Sequence, residues 1–275
     1  MTKYPRTPHL EGSRLQAGDE DLQQIPFAQI AGKTIAVEEK CDGANSAVSF
    51  DKNGELLLQS RGHYLIGGAR EKHFDLFKQW ATVHQQTFFE RLGTRYIMYG
   101  EWMYAKHSLF YDALTHYFQE FDIFDREAGI FLDTPSRHAL LDGVPVISVP
   151  VLARKSFEKI GVLTRWIGHS NYLRDGHRER LAEYCEQAGL DTTTILAETD
   201  PTTTMEGLYL KIEENGEVIG RLKYIRPSFL QQVLESGTHW LNRPIVPNQL
   251  LYPLDEIFAT SLPDSVRTIT PETTS

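Results

Sequence analysis

The sequence predicts an α+β fold built on antiparallel sheets, and three observations carry that expectation. Short alternating apolar runs recur along the 275 residues, and Asn53-Gly54 and Asn215-Gly216 supply hairpin turns between them. Residues 71–92 carry apolar and aromatic side chains at helical spacing. A basic, helix-forming stretch at 154–190 interrupts the strands. With 41% hydrophobic and 11% aromatic residues, the chain can bury a sizeable core and is globular.

Residues 1–20 form an N-terminal arm. Pro5, Pro8 and Gly12 break it, so it reads as extended backbone and not as a helix. Its Arg6, His9, Ser13 and Arg14 are donors suited to phosphate, against the plainer reading of a disordered tail. Segments 34–40, 44–50 and 56–61 look like a meander of strands. Lys40-Cys41-Asp42-Gly43 ends the first as a hairpin turn would, and it sets one amine at the mouth of a sheet. Residues 71–92 read as one amphipathic helix ended by Gly93. Its aromatics, Phe74, Phe77, Trp80 and Phe88, belong to the core and not to a base-stacking platform.

Strands are expected at 95–102, 117–125 and 146–149, and helices at about 155–163 and 177–188. The basic face of the 154–190 stretch fits either a nucleic-acid backbone or plain solvent. The threonine runs at 192–194 and 202–204 look like surface linker. A hairpin follows, with Glu206–Ile212 and Val218–Tyr224 as its arms. Lys211 and Lys223 then fall on adjacent strands, and two lysines close together in a partly buried sheet need an anion such as phosphate. The whole reads as one domain over 21–235, with a helical insertion at 155–200 and a C-terminal extension at 236–275.

The charge balance bounds the partners. With 28 Lys+Arg against 37 Asp+Glu, the net charge is −9, which argues against extensive sequence-blind gripping of duplex DNA while leaving room for a local cationic groove. No apolar run is long enough for a membrane span, and no signal segment opens the chain, so a cytoplasmic location without membrane association is expected. Cys41 and Cys185 make neither a disulfide framework nor a metal site.

Taken in order, Lys40-x-Asp-Gly, Ser60-Arg61-Gly62, Tyr99-Gly-Glu101, Phe121-Asp-Ile, Glu206-Gly-x-x-x-Lys211 and Arg221-x-Lys223 resemble the motifs of ATP-dependent RNA ligases. These are members of the covalent lysine nucleotidyltransferases; the resemblance spans about residues 25 to 230, and the opening Tyr4-Pro-Arg-Thr-Pro-His-Leu-x-Gly-Ser13 also resembles the start of bacterial members. It implies a nucleotidyltransferase (ATP-grasp-like) fold whose sheets enclose a nucleotide pocket. It also implies that Lys40 attacks the α-phosphate of ATP and holds AMP as a phosphoramidate. Glu38 or Glu39 would reach the adenine edge; the sequence leaves that choice open. Asn45 resembles an asparagine of the RNA-ligase branch that organises metal-bound water. Arg61 would contact the ribose or an incoming 5′-phosphate, Glu101 the ribose, and Phe121 would stack on the base. Glu206 would act on hydrated metal, with Asp42 and Asn45 beside it, while Lys211 and Lys223 would hold phosphates and assist catalysis. Clustered cations would lower the pKa of Lys40. Arg221 departs from the lysine often found at its place.

The implied cofactors are ATP and Mg²⁺, with Mn²⁺ as the other candidate metal. The implied partners are RNA 5′-phosphate and 3′-OH ends, with an end-healing protein as a candidate second partner. After Lys223 only a short segment at 229–234 and a tail remain, too little for the oligonucleotide-binding barrel of DNA ligases and capping enzymes, which favours an RNA ligase. The rivals are a DNA ligase or capping-type nucleotidyltransferase and, from another class, a non-catalytic module that binds nucleic-acid ends.

Overall fold

The computed structural model describes residues 1–15, 19, 22–229 and 244–261. In chain order the elements are β1 (His9–Leu10), β2 (Gln24–Ile25), β3 (Thr34–Glu39), β4 (Ala44–Phe50), β5 (Leu56–Ser60), α1 (Asp75–Val83), α2 (Gln85–Leu92), β6 (Tyr96–Trp102) and β7 (Phe118–Asp125). Then come β8 (Ile130–Phe131), α3 (Thr134–Leu141), β9 (Ile147–Ser148), β10 (Val151–Ser156), α4 (Ile160–Leu163), α5 (His177–Gln187), α6 (Thr192–Ala197), β11 (Gly207–Glu214) and β12 (Glu217–Ile225).

The strands form two mainly antiparallel sheets. One runs β10-β3-β11-β12-β1-β2, and the other runs β5-β4-β6-β7-β8 with β9 alongside β7. Alternation of side chains gives each sheet one apolar face. In the first sheet Ile35, Val37, Leu208, Leu210 and Leu222 pack with Leu10, Phe27, Phe157 and Leu163. In the second, Val48, Phe50, Met98, Phe118 and Ile123 pack with Phe77, Trp80, Phe88 and Leu92 of α1 and α2. Burying each such side chain stabilises the fold by about 1.5–3 kcal/mol. The alternate positions of the first sheet, among them Glu38, Tyr209, Lys211, Arg221 and Lys223, share the opposite face. These polar side chains meet residues of the second sheet.

Several expectations change here. β3 and β4 do not pair: β3 lies between β10 and β11, whereas β4 lies between β5 and β6. Lys40-Cys41-Asp42-Gly43 is therefore a crossover from one sheet to the other and not a hairpin end. The helix expected at about 155–163 gives way at its start to the edge strand Val151–Ser156 against β3, and only α4 remains of it. The expected helix over 71–92 is a 3-10 turn at 69–74 followed by α1 and α2, broken at His84, whose buried ring sits against Trp80 and Phe88. Thr192-Thr193-Thr194 is not linker but opens α6, because the Asp191 carboxylate accepts the Thr194 N–H and caps the helix. The Asn215-Gly216 turn is as expected, with both residues at positive φ (53° and 87°), as a tight two-residue hairpin demands.

The N-terminal arm is part of the fold. Tyr4, Thr7, His9, Leu10 and Ser13 are buried, and β1 pairs with β12. At the other end, the described residues 244–261 pack on the segment after β6: buried Asn248 accepts the Tyr111 N–H and donates to the Met103 carbonyl. Most of the segment 229–234 lies outside the described residues. Among the described residues no helix is long and apolar enough to cross a membrane.

Candidate active site

The two sheets share a cleft of about 660 Å³ whose wall includes Lys40. The crossover explains how one lysine comes to stand there. Lys40 follows the last residue of β3, and its backbone N–H donates to the Gly207 carbonyl at the start of β11 (3.0 Å). That register brings the neighbouring Glu206 opposite it, and Lys40 Nζ donates to Glu206 Oε2 at 2.7 Å. Two of the motif glycines, Gly207 and Gly43, are required here by close approach. A Cβ on Gly207 would lie 1.9 Å from the Tyr224 carbonyl oxygen, and one on Gly43 would lie 2.8 Å from that of Trp102. The Gly43 N–H donates to Glu101 Oε1 (3.1 Å), tying the crossover to β6.

The electrostatics run opposite to the expected depression of the Lys40 pKa. Burial disfavours the ammonium, but Glu206, Asp42 and Glu101 outweigh it and hold the pKa above the ordinary lysine value. The carboxyls respond in turn. Burial, with Asp42 adding to it, pushes Glu206 up to about 7 against the pull of Lys40. Burial likewise raises Glu101 to about 7, although Lys40 and His107 oppose the shift. The site is thus a lysine ammonium held among three carboxyl groups.

Of the residues to which the resemblance gives a role, Glu38, Glu39, Lys40, Asp42, Asn45, Arg61, Glu101, Phe121 and Lys223 line the cleft, whereas Glu206 and Lys211 do not; nor do Arg221 and the arm donors Arg6, His9, Ser13 and Arg14. Their partners differ from expectation in several cases. Asp42 is already engaged: its Oδ2 accepts the N–H groups of Ser108 (2.7 Å) and Leu109 (3.1 Å), and His107 stands 3.7 Å from Oδ1. Glu38 pairs with Arg137 (2.7 Å) and Lys211 (2.9 Å). Glu39 accepts from Asn171 Nδ2 (2.6 Å) and from the Ser170 hydroxyl, so it anchors the 155–200 insertion. Arg61 is exposed on the cleft wall. Asn45 Oδ1 is buried and has no hydrogen-bond partner among the described residues.

The lysine pair expected to share an anion is split. Lys211 is sealed in, 1% exposed, between Glu38 and Asp122, and it also donates to the Phe121 carbonyl, as does Arg137. Its anions come from the protein itself. Lys223 does reach the cleft, where it bonds Asp19; burial, with the charge of nearby Lys40 adding to it, lowers its pKa. Arg221 pairs with Asp122 at 2.9 Å and lies over the Phe131 ring.

Several cleft residues were missed, three of them important to its shape. Tyr4 and Thr7 come from the arm, and Tyr209 from β11. The Tyr209 ring lies 6.3 Å from Phe121 across the gap between the sheets. Tyr209 could have been found, since it shares its strand face with Lys211; Tyr4 opens a stretch that carries the resemblance, but nothing in that stretch places its ring in the cleft.

Comparison with known proteins accords with this arrangement. A family model described as RNA ligase matches residues 33–225, the span holding every motif above. The chain belongs to the RNA ligase family. No curated protein matches it. Among solved structures, Naegleria gruberi RNA ligase is similar in fold. A mutant of that protein with ATP and Mn superposes with a TM-score of 0.51 at 16% identity, over 84% of this chain and 57% of that one. The same protein with PPi gives the same four values, and a mutant with AMP and Mn gives 0.51 at 15% identity over the same shares. This RNA ligase family chain thus spans a little over half the length of those structures.

Proposed function

We propose that this chain is an ATP-dependent RNA ligase that works through a covalent Lys40–AMP adduct. The observation that carries the proposal is the Lys40–Glu206 contact of 2.7 Å at the wall of the cleft, within the span matched by the RNA ligase family. The amine of Lys40 would attack the α-phosphorus of ATP. A P–N bond forms, the bond from the α-phosphorus to the bridging oxygen breaks, and pyrophosphate leaves. Lys40 must first lose a proton, and Glu206, in hydrogen-bond contact and with a pKa of about 7, is a base poised for neutral solution. AMP then passes to the 5′-phosphate of an RNA end, and a 3′-OH displaces it to seal the strand.

The remaining walls suit the nucleotide. A base inserted between two rings needs about 7 Å, twice the carbon contact distance of ~3.5 Å. The Phe121 and Tyr209 rings lie 6.3 Å apart and tilted by 38°, so a small parting and levelling of the two would admit a base. Glu101 is placed to accept from a ribose hydroxyl, while Lys223 and Arg61 offer cations to phosphates.

The donor set also fits a divalent cation held largely through water. Mg²⁺ keeps several waters and leans on one or two carboxylates plus substrate phosphates. Glu206 and the unpartnered Asn45 Oδ1 would hold its hydration shell; Asp42, occupied by Ser108 and Leu109, fits that task less well. When bound, the metal would neutralise charge on the α-phosphate and on the leaving pyrophosphate. The ATP, AMP, PPi and Mn in the Naegleria gruberi complexes support the same set of ligands.

The test is nucleotide choice followed by sealing. Labelled ATP should mark the protein and GTP should not, and the marked protein should seal RNA ends. Labelling from GTP alone would favour a capping-type enzyme, sealing of DNA alone a DNA ligase, and no labelling an end-binding module.

A further inference from the structure

The N-terminal segment crosses from one sheet to the other at the cleft. The Thr2 carbonyl accepts from Gln59 Nε2 and from the Tyr99 hydroxyl of the second sheet, both at 2.9 Å. Six residues on, the Pro8 carbonyl accepts the Lys223 N–H of the first sheet (3.0 Å), and His9 pairs in register with Lys223. Tyr4 lies between these anchors. Its ring meets Phe121 edge-on at 5.1 Å and 77° and lies 5.0 Å from Tyr99. Its hydroxyl is 2.5 Å from Asp122 Oδ2 and 2.8 Å from the Tyr209 hydroxyl, which in turn lies 2.8 Å from Thr7 Oγ1. Asp122 is flanked by Lys211 and Arg221, which hold its carboxyl below the ordinary range against burial. It is thus an acceptor only, so the Tyr4 O–H must donate to it. The Tyr4 oxygen is then free to accept from Tyr209.

Tyr4 therefore touches both faces of the candidate base slot: the Phe121 ring by its edge and Tyr209 by its hydroxyl. The geometry points to Tyr4 as a positioning residue that sets the separation and tilt of the Phe121–Tyr209 slot, so that the arm takes part in recognition of the nucleotide base. The assignment rests on the reading of the cleft as an adenine nucleotide site. It goes beyond that reading because it hands part of base recognition to a residue outside the span matched by the RNA ligase family.

The ring and the hydroxyl have separable tasks. Tyr4→Phe keeps the edge against Phe121 and releases Tyr209. Tyr4→Ala removes both. Loss of the aromatic contact on full truncation should weaken base binding by roughly twofold to tenfold, and Tyr4→Phe by less. Phosphate binding should not change, because neither ring of the slot holds a phosphate in this assignment.

The experiment titrates ATP and, separately, pyrophosphate, each with Mg²⁺, into protein carrying Lys40→Ala so that no chemistry follows. Backgrounds are Tyr4, Tyr4→Phe and Tyr4→Ala. The expected result is a graded rise in Kd for ATP with pyrophosphate Kd unchanged, and, with Lys40 restored, a rise in KM for adenylylation with kcat retained. Equal ATP Kd in all three backgrounds would overturn the assignment, as would parallel loss of ATP and pyrophosphate binding, the mark of a general loss of structure. No ATP binding in any background would overturn it together with the nucleotide reading. Failure of the Lys40 protein to form an adduct, with ATP binding intact, would count against the ligase chemistry alone.

Discussion

Lys40 and Lys211 make an instructive pair. Both are lysines of the first sheet's polar side, both are bonded to a glutamate, and both belong to motifs of the resemblance. Lys40 has an open cleft on one side, a partner carboxyl near 7 and a side chain 19% exposed. Lys211 is 1% exposed and boxed in by Glu38, Asp122 and the Phe121 carbonyl, with Arg137 beside it. A charge whose partners are all protein holds structure in place; one with an open side can meet a substrate.

The sharpest way to break the comparison is to truncate each lysine. Lys40→Ala should abolish the AMP adduct and leave melting nearly unchanged, because Glu206 can take up a proton when its partner is lost. Lys211→Met should instead strip Glu38 and Asp122 of a buried cation, destabilising the fold by about 3–5 kcal/mol. Thermal melting and adduct mass together check both. A Lys211 variant that melts normally and fails only in phosphate binding would return Lys211 to the role expected from the sequence.

Next in size, Glu206→Gln should slow single-turnover adenylylation by about 10²–10⁴-fold, the usual contribution of a positioned acid–base group. The pH profile of that step sharpens the claim. Because carboxylates hold the Lys40 pKa up, the wild-type rate should climb with pH through the neutral range. Removing the Glu206 charge lowers the Lys40 pKa, so the climb should move to lower pH even as the rate falls. Quench-flow across pH would show it; an unmoved profile would contradict the pairing.

Smaller effects concern the carboxyls. Asp42→Asn weakens two charge-assisted hydrogen bonds from Ser108 and Leu109, which should cost about 1.5–3 kcal/mol in a denaturant melt. Glu101 and Glu206 have ordinary values of 4.5 and stand near 7 in the fold. The folded chain therefore binds more protons than the unfolded chain between those limits. Their contribution to stability is complete below 4.5 and is lost as pH rises through 7. The melting temperature of substrate-free protein should accordingly fall from about pH 5 to about pH 7.5, and Glu101→Gln with Glu206→Gln should flatten that slope.

Much of the frame was legible because it is local. Alternation gave β4 over 44–50, Asn215-Gly216 gave the β11–β12 turn, and the aromatic spacing of 71–92 gave the helical layer of the second sheet. The misses have physical reasons. β10 lies at a sheet edge with its last three residues exposed, so it shows no alternation. The Lys40–Gly43 crossover carries the residues of a hairpin, and only the pairing of β3 with β11, some 170 positions away, shows that it is not one. The packing of Tyr4 into the cleft was not legible because its partners, Asp122 and Tyr209, are 118 and 205 residues distant. For the candidate site, residue types and their order pointed to the cleft lining. Which carboxylates were already taken by Arg137, Asn171 and Ser108 depended on the third dimension.

The most direct measurement is the intact mass of the protein after incubation with ATP and Mg²⁺, followed by peptide mapping. The account predicts the gain of one AMP, carried on Lys40 and absent from Lys40→Ala. An unchanged mass, or an adduct that survives Lys40→Ala, would contradict it.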